Sequence, residues 1–257
     1  MAKSVKAYIV DNTEGENPIG IASSGTYVDE DERIRQIRRS EGFHYKGFPD
    51  QRTADLVLEH VLRPPFEEGP VAFVDGSWTK KHPDFVGGGV VFYESVSADQ
   101  LMGKDRSRDP QLTQEASLSF AGEEFQEEHQ VLGECTAAMR AIKMATDLGL
   151  DRLLIVFDYF GVMAVPEYMV TAKSPAQKRY FDFVNRFDRG INRIDGLSDG
   201  GCTGGDKLDL RFLHVHSHPG STEKPFDEMT FLEYGNYRAD ELAKDARDFA
   251  IEYSEGA

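Results

Sequence analysis

Four acidic residues lie where predicted apolar elements begin or end. They are Asp75, Glu134, Asp158 and Asp240. Carboxylates brought together repel one another, and such a cluster destabilises a fold unless protons or cations neutralise it. Oxygen ligands without a supporting cysteine favour hard cations such as Mg²⁺ or Mn²⁺. Convergence of these acids would therefore predict a divalent metal site; otherwise they are separate surface residues, as most of the 45 acids must be.

The lengths of the predicted elements allow that convergence to be tested. Apolar residues recur at helical intervals across residues 132–148, with Glu134 in the first turns. From Glu134 this helix advances about 21 Å, and a strand over residues 152–158 returns about 20 Å. Asp158 is therefore expected beside Glu134. If residues 71–75 form a strand parallel to the returning one, as a right-handed crossover favours, Asp75 joins them at the same end of the sheet.

The elements that hold these acids alternate between strands and helices, which predicts an α/β fold. Ser174, Pro175 and Gln177 supply the N-cap, the first helical position and the capping-box glutamine of one helix. Other helices are predicted over residues 30–39, 52–62, 132–148 and 239–249, and strands over residues 7–10, 71–74, 87–93, 117–120, 153–157 and 208–215. The polar segments over residues 95–114 and 196–205 are interpreted as long loops.

A proline-rich stretch divides the chain. Its Pro-Pro and Gly-Pro steps exclude regular helix and favour an extended connector. We therefore predict a small α/β domain over residues 1–63, a linker over residues 64–70 and a larger domain over residues 71–257. A domain as small as the first has a marginal core.

The overall charge opposes one class of function. With 29 basic and 45 acidic side chains the formal net charge is −16 and the sequence pI is about 4.8. Such a charge repels a polyanion unless basic residues cluster or cations intervene, so nonspecific coating of nucleic acid is not expected. No apolar run has the length of a membrane span and the first residues lack a secretion signal, so a cytoplasmic location without membrane contact is expected. Two cysteines, Cys135 and Cys202, are too few for a disulfide framework.

Four motifs, taken in order, carry a family resemblance. They read Val71-Ala-Phe-Val-Asp75-Gly-Ser, Gly133-Glu134-Cys-Thr-Ala-Ala-Met, Ile155-Val-Phe-Asp158-Tyr and Gly235-Asn236-Tyr-Arg-Ala-Asp240-Glu-Leu. They closely resemble the four acidic motifs of type 1 ribonuclease H, and the likeness runs from Val71 to about Phe249. The resemblance implies a mixed five-stranded sheet with helices packed on it, and it implies that the four acids are catalytic metal ligands.

The resemblance also implies an endonuclease that hydrolyses the RNA strand of an RNA–DNA hybrid and leaves 5′-phosphomonoesters. Two Mg²⁺ ions, with Mn²⁺ as a possible substitute, would activate water and stabilise the departing 3′ oxygen. Selectivity for RNA would come from recognition of 2′-hydroxyl groups, with Ser77 and the backbone of Gly76 as substrate contacts; a plain turn is the alternative for these two residues. No obligatory protein partner is evident.

The histidine-rich stretch from His214 to His218 has two interpretations. Its His-Ser-His-Pro core is similar to that of JAMM-type zinc peptidases, but the serine and aspartate of that family fall on Phe226 and Met229 here. In the ribonuclease H interpretation the stretch resembles the strand and loop that carry a histidine before the last acid, although the spacer that follows is longer than is usual. His218 then assists proton transfer or product release, and His214 and His216 are structural.

Residues 5–62 resemble the N-terminal hybrid-binding (viroplasmin-like) domain found on many ribonucleases H. The likeness is carried by Gly25-Thr-Tyr27, His44-Tyr45-Lys46-Gly47-Phe48 and Arg52-Thr-Ala-Asp-Leu-Val-Leu. In that domain an aromatic residue stacks on the DNA strand and lysines hold phosphates, which are roles for Tyr45 and Lys46. The family's tryptophan and second lysine are replaced by Glu30 and Gly47. Binding by this domain is therefore expected to be weak or lost, unless a basic helix face compensates through Arg35, Arg38 and Arg39.

Two other functions stay open. A catalytically silent hybrid-binding protein could use the same fold, although acids at all four motif positions argue against it; the zinc peptidase is the second. In the ribonuclease H interpretation two divalent cations offset the charge of the four acids, and the remaining acidity predicts that a local basic strip holds the substrate. Candidates for this strip are Lys173, Lys178, Arg179 and Arg186. An acid-rich surface is equally typical of a salt-adapted host.

Overall fold

A small antiparallel sheet and a helix form the first part of the structure. Strand β1 (Lys6–Asn12) lies between β2 (Ile19–Gly25) and β3 (Phe43–Phe48), and α1 (Gln51–Val61) follows. The computed structural model describes residues 6–12, 19–25, 43–48, 50–103, 110–168, 171–194, 197, 205–215, 225 and 228–256. The helix predicted over residues 30–39 lies outside these ranges, as does nearly all of the loop predicted over residues 196–205.

A mixed five-stranded sheet forms the centre of the rest of the chain. Its strands are β4 (Glu68–Thr79), β5 (His82–Ser97), β6 (Gln114–Ala121), β7 (Arg152–Phe157) and β8 (Asp209–His214). Their spatial order is β6-β5-β4-β7-β8, with antiparallel pairing from β6 to β4 and parallel pairing from β4 to β8. The predicted α/β class and the mixed five-stranded sheet are thereby confirmed.

Helices cover both faces of this sheet. They are α2 (Ala98–Met102), α3 (Gln130–Asp147), α4 (Gly161–Ala164), α5 (Pro175–Val184) and α6 (Phe231–Glu255). Successive residues of β4 alternate between the faces, so Ala72 and Val74 enter the core that contains α3 and Phe73 enters the core that contains α6. Among the described residues, none of the helices combines the length and apolar character that crossing a membrane requires.

Glycines let the two long helices approach the sheet closely. A Cβ on Gly89 of β5 would lie 2.0 Å from the carbonyl oxygen of Ala239, one residue before Asp240. A Cβ on Gly133, one residue before Glu134, would lie 2.2 Å from a carbonyl oxygen of β5. Larger side chains at these positions would push the helices outward. The glycines therefore help to bring the acids of α3 and α6 toward the sheet.

Several predicted segments were wrong in extent. The last helix, predicted over residues 239–249, spans Phe231–Glu255, and two polar segments also differ from the prediction. Strand β4 does not end at Val74 but continues to Thr79, because its polar second half pairs with β5. The predicted loop over residues 95–114 instead contains the end of β5 and the helix α2, which starts with a capping box formed by Ser97 and Gln100. Both segments are stabilised by backbone pairing or capping rather than by burial of an apolar stripe, and hydrophobic periodicity does not report these interactions.

Helix α1 shares a hydrophobic core with the larger part of the structure. Ala54 and Val57 are buried in the same core as α3. Arg63 Nη1 lies 2.5 Å from Asp209 Oδ1, and Arg211 Nη1 donates a hydrogen bond of 2.7 Å to the Pro64 carbonyl oxygen. The last three residues of the predicted linker belong to β4. The division into domains over residues 1–63 and 71–257 stays a prediction.

Candidate metal centre

Three carboxylates meet where β7 ends beside β4. One oxygen from each of Asp75, Glu134 and Asp158 lies within 4.8 Å of the other two. Phe73 pairs with Val156 in the parallel ladder, so Asp75 and Asp158 occupy equivalent positions two residues later. Glu134 reaches them from the second turn of α3. Asp75 does not end its own strand; it lies where the parallel neighbour of that strand ends.

Asp75 is at the centre of this cluster and is only 6% exposed. Burial, followed by the charges of Asp158 and Asp240, raises its pKa to about 8. The Gly76 backbone N–H donates a hydrogen bond of 2.6 Å to Asp75 Oδ1 and offsets part of that rise. In the absence of a cation, the centre therefore holds a proton that an aspartate in water would lose.

Glu134 is buried more deeply, with 1% of its surface exposed. Burial and then the charges of Asp75 and Asp158 raise its pKa well above the usual range of a glutamate. Its Oε2 atom has no hydrogen-bond partner among the described residues. A buried carboxylate oxygen without a donor is costly in a folded protein, and a bound cation would satisfy it.

Asp240 differs from the other three acids. Its side chain is 33% exposed, and its Oδ2 atom accepts a hydrogen bond of 2.6 Å from Lys244 Nζ. It is close enough to Asp75 to contribute to the raised pKa of that residue, but it is not in the group whose oxygens lie within 4.8 Å of one another. The site thus combines two buried carboxylates and the partly buried Asp158 with a fourth carboxylate that has its own cation.

The donor set fits a hard divalent cation. All the ligand atoms that meet are carboxylate oxygens, which suit Mg²⁺ or Mn²⁺ better than a transition metal that prefers nitrogen or sulfur. The unpaired oxygen of Glu134 and the raised pKa of Asp75 both indicate negative charge that the described cations of the protein do not neutralise. The residues present therefore fit the metal that the sequence predicts.

Gly76 and Ser77 are already engaged by the protein itself. The Ser77 hydroxyl accepts a hydrogen bond of 2.8 Å from Arg247 Nη1, and the residue is buried. A Cβ on Gly76 would lie 2.6 Å from both the Gln130 carbonyl oxygen and the Glu134 nitrogen. Gly76 therefore permits α3 to pack against β4. Substrate contact by these two residues stays a prediction.

The histidine-rich stretch is described only in part. His214 Nε2 lies 3.0 Å from the Asp158 carbonyl oxygen, and its ring packs on Phe157 with 5.5 Å between centroids. These contacts give His214 the structural role that was predicted, since it supports the backbone at Asp158. His216 and His218 lie outside the described residues, so the role predicted for His218 stays a prediction.

The predicted contacts of the small domain are likewise placed only by their backbone. Tyr45 and Lys46 lie in β3, opposite Val10 and Ile9 of β1. Their assignment as contacts to the hybrid stays a prediction.

Sequence reasoning missed the residues that hold α5 beside the cluster. Gln177 Nε2 donates a hydrogen bond of 3.1 Å to the hydroxyl of Tyr159, the residue that follows Asp158. The buried Glu128 accepts hydrogen bonds from the Ala176 N–H at 2.5 Å and from Arg179 Nη2 at 3.2 Å. Arg179, which was expected in a phosphate-binding strip, is thus paired with a carboxylate. Glu128 is 48 positions from Ala176 in the chain, so no local pattern could have revealed the contact.

Comparison with known proteins yields structural neighbours only. Neither protein-family models nor curated protein sequences match the chain. It is similar to the crystal structure of ribonuclease H1 from the halophilic archaeon Halobacterium salinarum NRC-1, with 19% identity, a TM-score of 0.42 and coverage of 70% of this chain and 98% of that chain. It is also similar to LC11-RNase H1 in complex with an RNA/DNA hybrid, with 18% identity, a TM-score of 0.42 and coverage of 71% of this chain and 99% of that chain. The solution structure of the prototype foamy virus RNase H domain is similar as well, with 15% identity, a TM-score of 0.44 and coverage of 72% of this chain and 97% of that chain.

Proposed function

We propose that this protein is a divalent-metal-dependent ribonuclease H that hydrolyses the RNA strand of RNA–DNA hybrids. The observation that carries the proposal is the meeting of Asp75, Glu134 and Asp158 within 4.8 Å at the end of a mixed sheet. The mutual repulsion of these carboxylates destabilises the fold, and a bound divalent cation would neutralise it. The order of the acidic motifs along the chain adds the reaction class, because it resembles that of type 1 ribonuclease H.

The four acids would hold two Mg²⁺ ions, with Mn²⁺ as a substitute. Asp75 would contact both ions, because the charges of Asp158 and of Asp240 both act on it. Glu134 and Asp158 would complete the buried position and Asp240 the more exposed one. Bound divalent cations supply a nucleophilic water at neutral pH and Lewis-acid stabilisation of the departing 3′ oxygen, which leaves a 5′-phosphomonoester.

Helix α5 would hold the substrate beside the cluster. Its capping-box residue Gln177 is hydrogen-bonded to Tyr159, so the N-terminal end of the helix lies near Asp158. All four cations predicted for a basic strip are exposed. Lys173 and Lys178 lie near this end of the helix and suit contacts to phosphate, Arg186 lies beyond its other end, and Arg179 is paired with Glu128. A local strip of this kind is what a chain with a net charge of −16 needs to retain a polyanion.

The remaining predicted contacts belong to the same proposal. Recognition of 2′-hydroxyl groups near Gly76 and Ser77 would confine cleavage to the RNA strand, and His218 would assist proton transfer or product release. Residues 1–63 would form a hybrid-binding domain in which Tyr45 and Lys46 contact the DNA strand. None of these contacts is needed for the metal site, so each can be tested separately.

A cleavage assay tests the reaction class. Labelled RNA–DNA hybrid, double-stranded RNA and double-stranded DNA are incubated with the full-length protein in Mg²⁺, Mn²⁺ or EDTA. We expect cleavage of the hybrid alone, in the RNA strand, and none in EDTA. Binding of the hybrid without cleavage would instead indicate a catalytically silent protein. Zinc-dependent cleavage of peptides without any cleavage of nucleic acid would favour the peptidase.

Asp75→Asn tests the site itself. The substitution removes a charge from the centre of the cluster without changing its volume, so we expect hybrid cleavage to fall by about a thousandfold or more while the fold is retained. Asp147→Asn is the matched control, because Asp147 lies at the exposed end of the helix that carries Glu134. Circular dichroism checks the fold of both variants. Unchanged cleavage by Asp75→Asn in Mg²⁺ would rule out the assignment.

A further inference from the structure

The four acids of the candidate centre differ in how their charge is balanced. Asp75 and Glu134 are almost fully buried, and the charges that raise the pKa values of both residues come from other carboxylates. Asp240 is one third exposed and accepts a hydrogen bond from Lys244. The two positions that a pair of cations would occupy are therefore unequal before any ion binds.

Lys244 is held in place by its own helix. It follows Asp240 by four residues, so the two side chains share a face of α6. Its Nζ atom lies 2.6 Å from Asp240 Oδ2 and 3.4 Å from Glu241 Oε1. The ammonium group thus already pairs with one of the two carboxylate oxygens through which Asp240 could bind a cation.

The ion pair is exposed enough to be displaced. The Lys244 side chain is 46% exposed, and ion pairs of this kind are weak because water and salt screen them. A divalent cation that binds the Asp240 oxygen would displace the ammonium toward Glu241 or solvent. The positive charge of Lys244 would still act against that cation.

We propose that Lys244 competes with the second divalent cation for Asp240, so that the two ions bind in order and the second binds more weakly. This inference rests on the proposed function, because it concerns the same carboxylates. The first ion would bind at Asp75, Glu134 and Asp158, and the second between Asp75 and Asp240. Lys244 would then be a positioning residue that sets the metal concentration at which the second site fills.

Metal binding by a charge-neutral variant tests the proposal without relying on activity. Full-length wild-type protein and Lys244→Met are titrated with Mn²⁺, and the free ion is measured by electron paramagnetic resonance. Methionine keeps an unbranched side chain and removes the charge. We expect the first Kd to be unchanged and the second to fall by about three- to fivefold, as removal of one screened positive charge near a divalent ion predicts. The difference should shrink as KCl is raised.

Lys143→Met is the matched control. Lys143 forms the same kind of pair with Asp147, at 2.9 Å and four residues apart, with both side chains more than half exposed. It lies nine residues beyond Glu134, about 13 Å along α3, so its removal changes the net charge equally but not the charge beside the site. We expect neither Kd to change. An equal fall of the second Kd in both variants would overturn the proposal, because it would reflect net charge alone.

The remaining outcomes separate this inference from the proposed function. A second Kd that is unchanged or raised in Lys244→Met overturns the role of Lys244 and leaves the two-ion site standing. If wild type and variant both bind a single ion, the role of Lys244 and the two-ion arrangement are both overturned, whereas the acid cluster remains a metal site. If Asp75→Asn binds Mn²⁺ as well as the wild type does, the acid cluster is not the metal site, and the proposed function fails together with the inference.

Discussion

Two buried glutamates of this protein differ in the charges that surround them. Glu134 and Glu167 are each 1% exposed. Glu167 Oε1 accepts a hydrogen bond of 2.9 Å from Arg189 Nη1. Its Oε2 atom, like that of Glu134, accepts no hydrogen bond from the described residues, but it lies 3.0 Å from His60 Nε2 in an ion pair. Glu134 meets two carboxylates instead, Asp75 and Asp158. The first glutamate belongs to a balanced charge network and the second to an unbalanced one.

The pKa values of the two glutamates shift in opposite directions. Burial favours the protonated form of both. At Glu134 the charges of Asp75 and Asp158 add to burial, and the pKa lies well above its usual range. At Glu167 the contacts with His60 and Arg189 outweigh burial, and the pKa is lowered. Burial alone therefore does not indicate function; the sign of the neighbouring charges separates a structural carboxylate from a candidate ligand.

The balanced network also has a structural task. His60 lies in α1, whereas Glu167 and Arg189 lie in segments that flank α5. Arg189 Nη2 also donates to the Pro166 carbonyl oxygen at 2.8 Å. The network therefore joins α1 to the segments that flank α5, and its loss should lower the stability of the fold rather than metal binding.

Arg189→Met should have the largest effect on stability. It leaves Glu167 buried with His60 as its remaining partner in the network, so we expect a loss of about 3 kcal/mol in the free energy of unfolding. Urea denaturation of the metal-free protein measures this loss. Arg193→Met, which removes an exposed arginine nearby, is the control and should change stability little. A loss equal to that of the control would show that the network does not stabilise the fold.

The acid cluster should make stability depend on pH in the opposite sense to an ordinary aspartate. The pKa of folded Asp75 is about 8, whereas the unfolded chain releases this proton near the usual aspartate pKa of 3.8. Between these values the folded state binds more protons, so the stability of the metal-free protein falls as pH rises, and Asp75 contributes at most about 1.4 kcal/mol per pH unit to this fall. The stabilisation that comes from the raised pKa of Asp75 is complete below pH 3.8 and is lost above about pH 8.

Urea denaturation in EDTA between pH 5 and pH 8 measures this slope. Asp75→Asn should flatten it, because asparagine does not titrate, and Mg²⁺ should restore stability at pH 8 in the wild type alone. A wild-type slope no steeper than that of Asp75→Asn would contradict the picture of an unneutralised cluster.

Arg238→Met should have the smallest effect. Arg238 donates two hydrogen bonds to Glu115, of 2.8 and 2.9 Å, but both side chains are about one third exposed. Water screens such a pair, so we expect a loss below about 1 kcal/mol, measured by the same urea denaturation. A loss as large as that of Arg189→Met would show that geometry, rather than burial, decides the value of an ion pair in this protein.

Local sequence patterns predicted most of the elements that position the site. The capping box of Ser174 and Gln177 and the apolar run of β7 are observed as predicted, and the helix that carries Glu134 begins within two residues of its predicted start. The element lengths also predicted the meeting of Glu134 with Asp158, because helix and strand rise are constant. Polar segments were less predictable: α2 and the second half of β4 depend on capping and on pairing with β5.

By itself, the sequence thus determined the α/β class, the mixed sheet and four acids in a recognisable order. Only the tertiary structure decided what each charge does. In the sequence, nothing distinguishes Glu134 from Glu167, and nothing shows that Arg179 is paired with Glu128. The position of Lys244 in the sequence likewise does not show that the charge of Asp240 acts on Asp75. The physical reason is that the pKa and the pairing of a buried charge depend on neighbouring groups from other elements, and the tertiary fold determines which groups these are.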